Sequence, residues 1–216
     1  LRTGCQWRNL PLYYPNWRTS YGYFREWIIL RAWDKIHDVF RESCREKSGK
    51  QTFPTAAIID SQSVKTTEQA DSKGYDAAKK VTGRKRHIVV DTLGLLLEAE
   101  VTVANKTDRS VASTIIGKIS DKFKAVVKIF ADGSYAGKLV DFVEDAYGVI
   151  LEIVKRNSKE FKVLPWRWVV EWTFGWLNRS RRLSKDYEVK AKTSEAWIKI
   201  AMINLMLRHV VKNPLF

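Results

Sequence analysis

Thr55-Ala-Ala-Ile-Ile-Asp60 and Val126-Val-Lys-Ile-Phe-Ala-Asp132 are two short apolar runs, each closed by an aspartate. Runs of this length and composition read as buried strands, and two strands ending in Asp bring two carboxylates side by side at one edge of a sheet. A third acid, Glu171, is the only charge between Trp168 and Leu177, in a segment that reads as a helix. A helix laid across that edge completes a cluster of hard oxygen ligands suited to Mg²⁺ or Mn²⁺. A pair of such ions about 3.5–4 Å apart is the apparatus of metal-dependent nucleases.

Each acid has an ordinary alternative. An Asp at a strand end is often a turn former, so neither aspartate decides the matter alone. The neighbours of Glu171 are apolar around the helical circumference, which predicts burial on most sides, and charged groups are rarely buried without partners. Arg167, Asn178 and Arg182 share its face at 100° per residue, so a buried Arg–Glu pair competes with the ligand reading.

Outward from these runs, the chain alternates strands and helices. His87–Thr92 and Leu95–Val103 flank Leu93-Gly94 and read as a hairpin. A helix over about Asp108–Ile119, with Asn105 or Thr107 as its cap, leads into the strand ending at Asp132. A helix near Lys138–Ala146, a strand at Val149–Val154, and helices over Arg167–Arg179 and Ser194–Val211 follow. This order predicts an α/β fold, a mixed sheet covered by helices. Ahead of it, Ser20 caps an expected helix through about Glu46, and Ser48-Gly-Lys-Gln-Thr-Phe-Pro54 marks a boundary. The division expected is a helical region over 1–50 and a catalytic domain over 51–216.

The 216 residues suffice for one substantial core, and no apolar run approaches the ~20 residues of a membrane span. A net charge of +14 points to a polyanion, with nucleic acid the first candidate. Residues 73–86 carry six Lys and Arg against Asp76 alone, and residues 155–192 carry eleven against four acids. The expected phosphate contacts are therefore Lys79, Lys80, Arg84, Lys85 and Arg86 in the first stretch, and Arg167, Arg179, Arg181 and Arg182 in the second. Cys5 and Cys44 are too far apart for a zinc motif, and with no secretory signal visible a reduced cytoplasmic compartment is expected. Leu1 begins in mid-pattern, so an upstream portion is expected to be missing.

Ala57-Ile-Ile-Asp60-Ser-Gln-Ser-Val, Gly83-Arg-Lys-Arg-His-Ile-Val-Val-Asp-Thr-Leu-Gly94, Ala104-Asn-Lys-Thr-Asp-Arg109, Phe130-Ala-Asp132-Gly-Ser-Tyr135 and Val170-Glu171-Trp-Thr-Phe-Gly-Trp-Leu-Asn-Arg-Ser-Arg-Arg-Leu183 resemble the blocks of bacterial insertion-sequence DDE transposases, in particular the family named for insertion sequence five. The opening Arg2-Thr-Gly-Cys-Gln-Trp-Arg-Asn-Leu-Pro11 is similar to that family's N-terminal region. The resemblance implies a ribonuclease-H-like core with Asp60, Asp132 and Glu171 as catalytic metal ligands, two Mg²⁺ or Mn²⁺ ions, and cleavage and joining of double-stranded DNA at element ends by a DNA-bound homodimer. It also asks for a Lys seven residues after Glu171, where this chain has Asn178; Arg179 or Arg182 is the candidate substitute. Ser61, Ser134 and Tyr135 flank the acids as possible phosphate contacts or plain turn residues, while His87 and His209 lack ligand spacing. Competing functions are a remnant that binds DNA without cutting and another nuclease on the same fold.

Overall fold

The computed structural model describes residues 1–154 and 167–212, the side chains of Arg167 and Lys212 excepted. The N-terminal helices are α1 (Trp17–Ile29) and α2 (Ala32–Lys47), where one continuous helix was expected. Arg31 breaks them apart in the left-handed region at φ 53°, a conformation that costs a non-glycine residue about 1–2 kcal/mol. The break folds Trp33 back so that its indole N–H reaches the Phe24 carbonyl (3.4 Å) and the two rings lie 6.2 Å apart. Asn16, not Ser20, caps α1, accepting from the Arg18 N–H.

The sheet is built from β1 (Ala56–Lys65), β2 (Gly74–Asp76), β3 (Val81–Asp91), β4 (Leu96–Val103), β5 (Lys128–Ala131) and β6 (Ile150–Ile153). Its order is β2-β3-β1-β5-β6, with β4 also on β3. The β4-β3-β1 half is antiparallel and the β1-β5-β6 half parallel. A central strand flanked by an antiparallel hairpin on one side and two parallel strands on the other is the ribonuclease-H-like sheet, and the α/β expectation holds. The hairpin turns at Gly94, whose φ of +74° suits glycine. Two strands run further than expected. β1 continues five residues past Asp60, and β3 begins at Val81, so that the basic stretch Arg84–Arg86, expected to contact phosphate, lies within a strand.

Alternation along the strands separates two apolar layers. Ile58, Ile88, Val90 and Phe130 face a core shared with α1, α2, α5 (Arg167–Asn178) and α6 (Ala191–Lys212). Ala57, Ile59, Val89 and Ile129 face the other, covered by α3 (Asp108–Lys122) and α4 (Leu139–Tyr147). Thr107 caps α3 as expected. No helix among the described residues is long and apolar enough to cross a membrane.

A buried ion pair between Arg45 on α2 and Asp91 at the hairpin ties the N-terminal helices to the sheet. Burial pushes the Asp91 carboxyl up, while the Arg45 guanidinium and the backbone N–H groups of Leu93 and Leu95 pull it down. Arg45→Met should therefore lower stability by about 3–5 kcal/mol in urea unfolding, because it strands a buried carboxylate. Adding Asp91→Asn, which keeps an acceptor for the two N–H groups, should recover part of that loss.

Candidate active site

The register between β1 and β5 places the two aspartates. Ala56, Ala57 and Ile58 pair with Lys128, Ile129 and Phe130, so two residues further along Asp60 and Asp132 stand level on neighbouring strands. Both continue the face of Ile58 and Phe130. Beyond Ile58 the pairing with β5 stops while β1 runs on, so Asp60 lies inside its strand at the point where one flank opens. This corrects the expectation that Asp60 terminates a strand: β3 continues to pair with it through Ile88.

Backbone geometry orients both carboxylates. The Ser61 N–H donates to Asp60 Oδ1 (2.7 Å), and the Ser134 N–H donates to Asp132 Oδ1 (2.8 Å), with the Ser134 hydroxyl on the same oxygen. A small crevice is lined by Asp60, Asp132, Ile58, Phe130 and Val170, the residue before Glu171. Helix α5 is thereby laid against this edge. Val169, Val170, Thr173, Phe174 and Leu177 are its buried side, whereas Glu171, Trp172 and Gly175 are exposed. Glu171 is thus not the buried residue that its apolar neighbours implied: Val169, Val170, Phe174 and Leu177 sort onto one side at helical spacing, and Glu171 stands with Trp172 on the exposed side. Of the cations weighed as its partner, Arg182 bridges to Glu188 instead, and the Arg167 side chain lies outside the described residues.

Asp60 and Asp132 at this edge are hard-oxygen donors, of the chemistry that suits Mg²⁺ or Mn²⁺. Among the described residues no three His, Cys, Asp or Glu side chains are arranged to hold a metal ion. The fit therefore rests on the aspartate pair and on the placement of α5.

Behind the aspartates, on the α3 face, lies a polar layer that the sequence reading did not single out. Ser61 Oγ donates to Asp108 (2.8 Å), Lys85 Nζ lies 3.3 Å from both Asp108 and Asp76, and Ser63 Oγ donates to Asp76 (2.6 Å). The fully buried Tyr135 borders this layer, its hydroxyl pushed up by burial and by Asp60, Asp108 and Asp132. The signal available was the Asp in Ala104-Asn-Lys-Thr-Asp-Arg109, which sits in the first turn of α3.

The basic residues divide sharply. Lys80, Arg179 and Arg181 are exposed, whereas Lys79, also an exposed residue, donates its ammonium to the Ser61 carbonyl (2.9 Å) and hydroxyl (3.3 Å). Arg84, Lys85 and Arg86 are buried. Arg84 pairs with Asp71 and Asp186 and donates to the Glu188 and Val189 carbonyls, while Arg86 donates to the Leu183 (2.7 Å) and Lys185 (3.2 Å) carbonyls. Burial lowers the Arg86 guanidinium to about 10, with Asp186 opposing. Arg182 is also engaged, bridging to Glu188 (2.7 Å) and lying over the Trp197 ring (4.6 Å). These four are internal cations, because strand alternation turns Arg84 and Arg86 into the sheet's own face. Arg167 opens α5, but its side chain lies outside the described residues.

The family model for the transposase DDE domain matches residues 51–206. The chain belongs to the DDE transposases. A second model, described for transposases of the IS4/5 family, matches this DDE family member over residues 1–37. A Burkholderia cepacia protein assigned to insertion sequence element IS402 as its transposase is 30% identical over 126 residues, which is 55% of this chain and 60% of that protein. The chain thus spans about 60% of the length of this curated relative. Among solved structures, the catalytic core domain of BIV integrase has 12% identity and a TM-score of 0.42 over 67% of this chain and 81% of its own. The HTLV-2 integrase catalytic core domain in complex with magnesium has 16% identity and a TM-score of 0.39 over 67% and 85%. The fold assignment of this DDE transposase rests on its own strand order.

His87, buried in the polar layer beside Asp108, is held down to about 4 from 6.5 by burial, which outweighs the pull of Asp108. A histidine depressed in the folded state lets the unfolded chain take the proton first. Stability should therefore fall as pH drops from about 6.5 to 4, by up to about 3 kcal/mol from this residue. Denaturant titrations at pH 7 and pH 5 should show that His87→Gln removes a clear share of the difference.

Proposed function

We propose that this DDE transposase cuts DNA at the ends of a mobile element and joins the freed 3′ end to target DNA, with Asp60, Asp132 and Glu171 as its metal-binding acids. The observation that carries this reading is the β1–β5 register, which sets Asp60 and Asp132 level at the open edge. When bound, Mg²⁺ or Mn²⁺, as a pair of ions, supplies charge neutralisation and activation of the attacking oxygen. Asp60 and Asp132 hold the shared position between the strands, oriented by the Ser61 and Ser134 N–H groups. Glu171 closes the set from the exposed side of α5.

Water attacks the phosphorus at the element end, and the 3′ oxygen leaves as a hydroxyl. That hydroxyl then attacks a target phosphorus, displacing a strand of target DNA. No protein atom becomes covalently bonded to DNA in this sequence, so no side-chain nucleophile is required. The exposed Lys79 and Lys80, together with Arg179 and Arg181, supply positive charge for the phosphate backbone. Residues 1–50 contribute to end binding or assembly, and the acting form is a homodimer on double-stranded DNA with terminal inverted repeats. A protein acting on bacterial DNA works in the cytoplasm at the nucleoid.

Asp60→Asn, Asp132→Asn and Glu171→Gln should each lower Mg²⁺- or Mn²⁺-dependent cleavage of a terminal-repeat duplex at least about a hundredfold, more than removal of an outer partner of a metal ligand. DNA binding should persist. Because Glu171 is exposed, Glu171→Gln should leave stability within about 1 kcal/mol of the parent. Near-normal cleavage in any one variant would remove that residue from the ligand set.

Replacing Lys79 and Lys80 with Ala should weaken binding to all duplexes alike and lower the salt slope by about 0.9 for each phosphate no longer neutralised. Arg84→Met and Arg86→Met should instead act on stability. A salt slope unchanged by the double lysine substitution would rule this turn out as a phosphate-binding surface.

A further inference from the structure

The pairing of β1 with β5 stops at Ile58 and Phe130, two residues short of Asp60 and Asp132. The relative position of the two carboxylates is therefore set by whatever holds the segments that follow. Each carboxylate is oriented by a serine just downstream, Ser61 through its N–H and Ser134 through its N–H and hydroxyl. Both serines are held in turn by consecutive residues of α3. Asp108 Oδ1 accepts from the Ser61 hydroxyl (2.8 Å), and Arg109 Nε donates to the Ser134 carbonyl (2.9 Å).

The first turn of α3 is a fixed base for this bridge. Thr107 caps it by accepting from the Ser110 N–H, while the Ser110 hydroxyl donates to the Thr107 carbonyl (2.8 Å). The next two residues, Val111 and Ala112, are buried. Successive residues on a helix point about 100° apart, so one turn reaches two places at once: Asp108 meets β1, and Arg109 meets the Gly133–Tyr135 turn that follows β5. Lys85 anchors Asp108, its Nζ lying 3.3 Å from that carboxylate and donating to the Lys106 carbonyl (3.0 Å). The bond from Arg109 is exposed. An exposed hydrogen bond adds little to stability, so its loss should be felt in the placement of Ser134 and not in folding.

We propose that Asp108 and Arg109 are positioning residues for the cutting site: they clamp the two serines that orient Asp60 and Asp132, and so fix the separation of the carboxylates. The clamp rests on the reading of Asp60 and Asp132 as metal ligands. The block Ala104-Asn-Lys-Thr-Asp-Arg109, which supplies no ligand in that reading, then acts on the metal site through Ser61 and Ser134. Outer partners of this kind hold a ligand in its binding orientation.

Variants of equal length separate this role from that of a surface charge. Gln places a nitrogen donor at the chain position of Arg Nε, and Met places a methyl group there; both lack the guanidinium charge. Mn²⁺ binding to the full chain without DNA is followed by the electron paramagnetic resonance signal of the free ion. Arg109→Met should weaken Mn²⁺ binding about tenfold or more, the usual cost of losing an outer partner of a metal ligand, whereas Arg109→Gln should stay within about threefold of the parent. Asp108→Ala should act as Arg109→Met does, and Asp108→Asn, which keeps an oxygen for the Ser61 hydroxyl, should do so less. Both Arg109 variants should melt with the parent. Parent-like Mn²⁺ affinity in Arg109→Met, or equal losses in Arg109→Met and Arg109→Gln, would overturn the proposal. Asp60→Asn is the control. If it binds Mn²⁺ as the parent does, the ligand reading fails and the clamp with it; if it loses Mn²⁺ while Arg109→Met does not, the clamp alone is refuted.

Discussion

The alignment of β1 with β5 is the constraint on which the candidate site depends. A shift of one residue in that parallel pairing would turn one aspartate to the opposite face of the sheet, into the polar layer beneath α3. The register is held by apolar residues on both sides of the strands: Ile58 and Phe130 belong to one core, Ala57 and Ile129 to the other. Slipping it would expose or misplace apolar groups in two layers at once. Positions 60 and 132 are therefore fixed by packing that has no chemistry of its own, and the carboxylates inherit their alignment from it.

The same sheet explains the inward arginines. Residues 84, 86 and 88 of β3 lie across from 64, 62 and 60 of β1, on one face. Near Ile88 that face is covered by α5 and α6; further along, among the described residues, the segment around 183–189 lies on it instead. A loop offers backbone carbonyls where a helix offers apolar side chains, so the strand opposite it carries guanidinium groups that donate to several carbonyls at once. Stability and the presentation of the loop's outer side chains are supplied by one arrangement.

Much of this was legible in the chain. The apolar runs before Asp60 and Asp132, the turn at Leu93-Gly94 and the cap at Thr107 are local signals, and each element they imply is present. The extent of β1 beyond Asp60 was not, because Ser61, Gln62 and Ser63 lack apolar alternation: Ser61 and Ser63 are partnered by Asp108 on α3 and Asp76 on β2, outside the strand itself. The basic run at 84–86 misled for a related reason. Charge counted along a sequence carries no direction, and only the pairing of β3 with β1 decides which side each residue faces. Glu171 shows the converse case, since its neighbours are apolar yet only part of them turn inward, and Glu171 is exposed beside Trp172.

The closure of the two ends of the fold has a consequence for synthesis. Cys44 meets the Met206 carbonyl across 162 positions, and Lys47 donates to the carbonyls of His209 (2.9 Å) and Val210 (3.0 Å). Helix α2 is made well before α6, on which it packs, so a growing chain cannot complete this helical layer until α6 has emerged. Contacts of such long sequence separation fold late. Fragments released before α6 would therefore present unfinished apolar surface to cellular proteases, and the layer closes only in chains that already carry residues 60, 132 and 171.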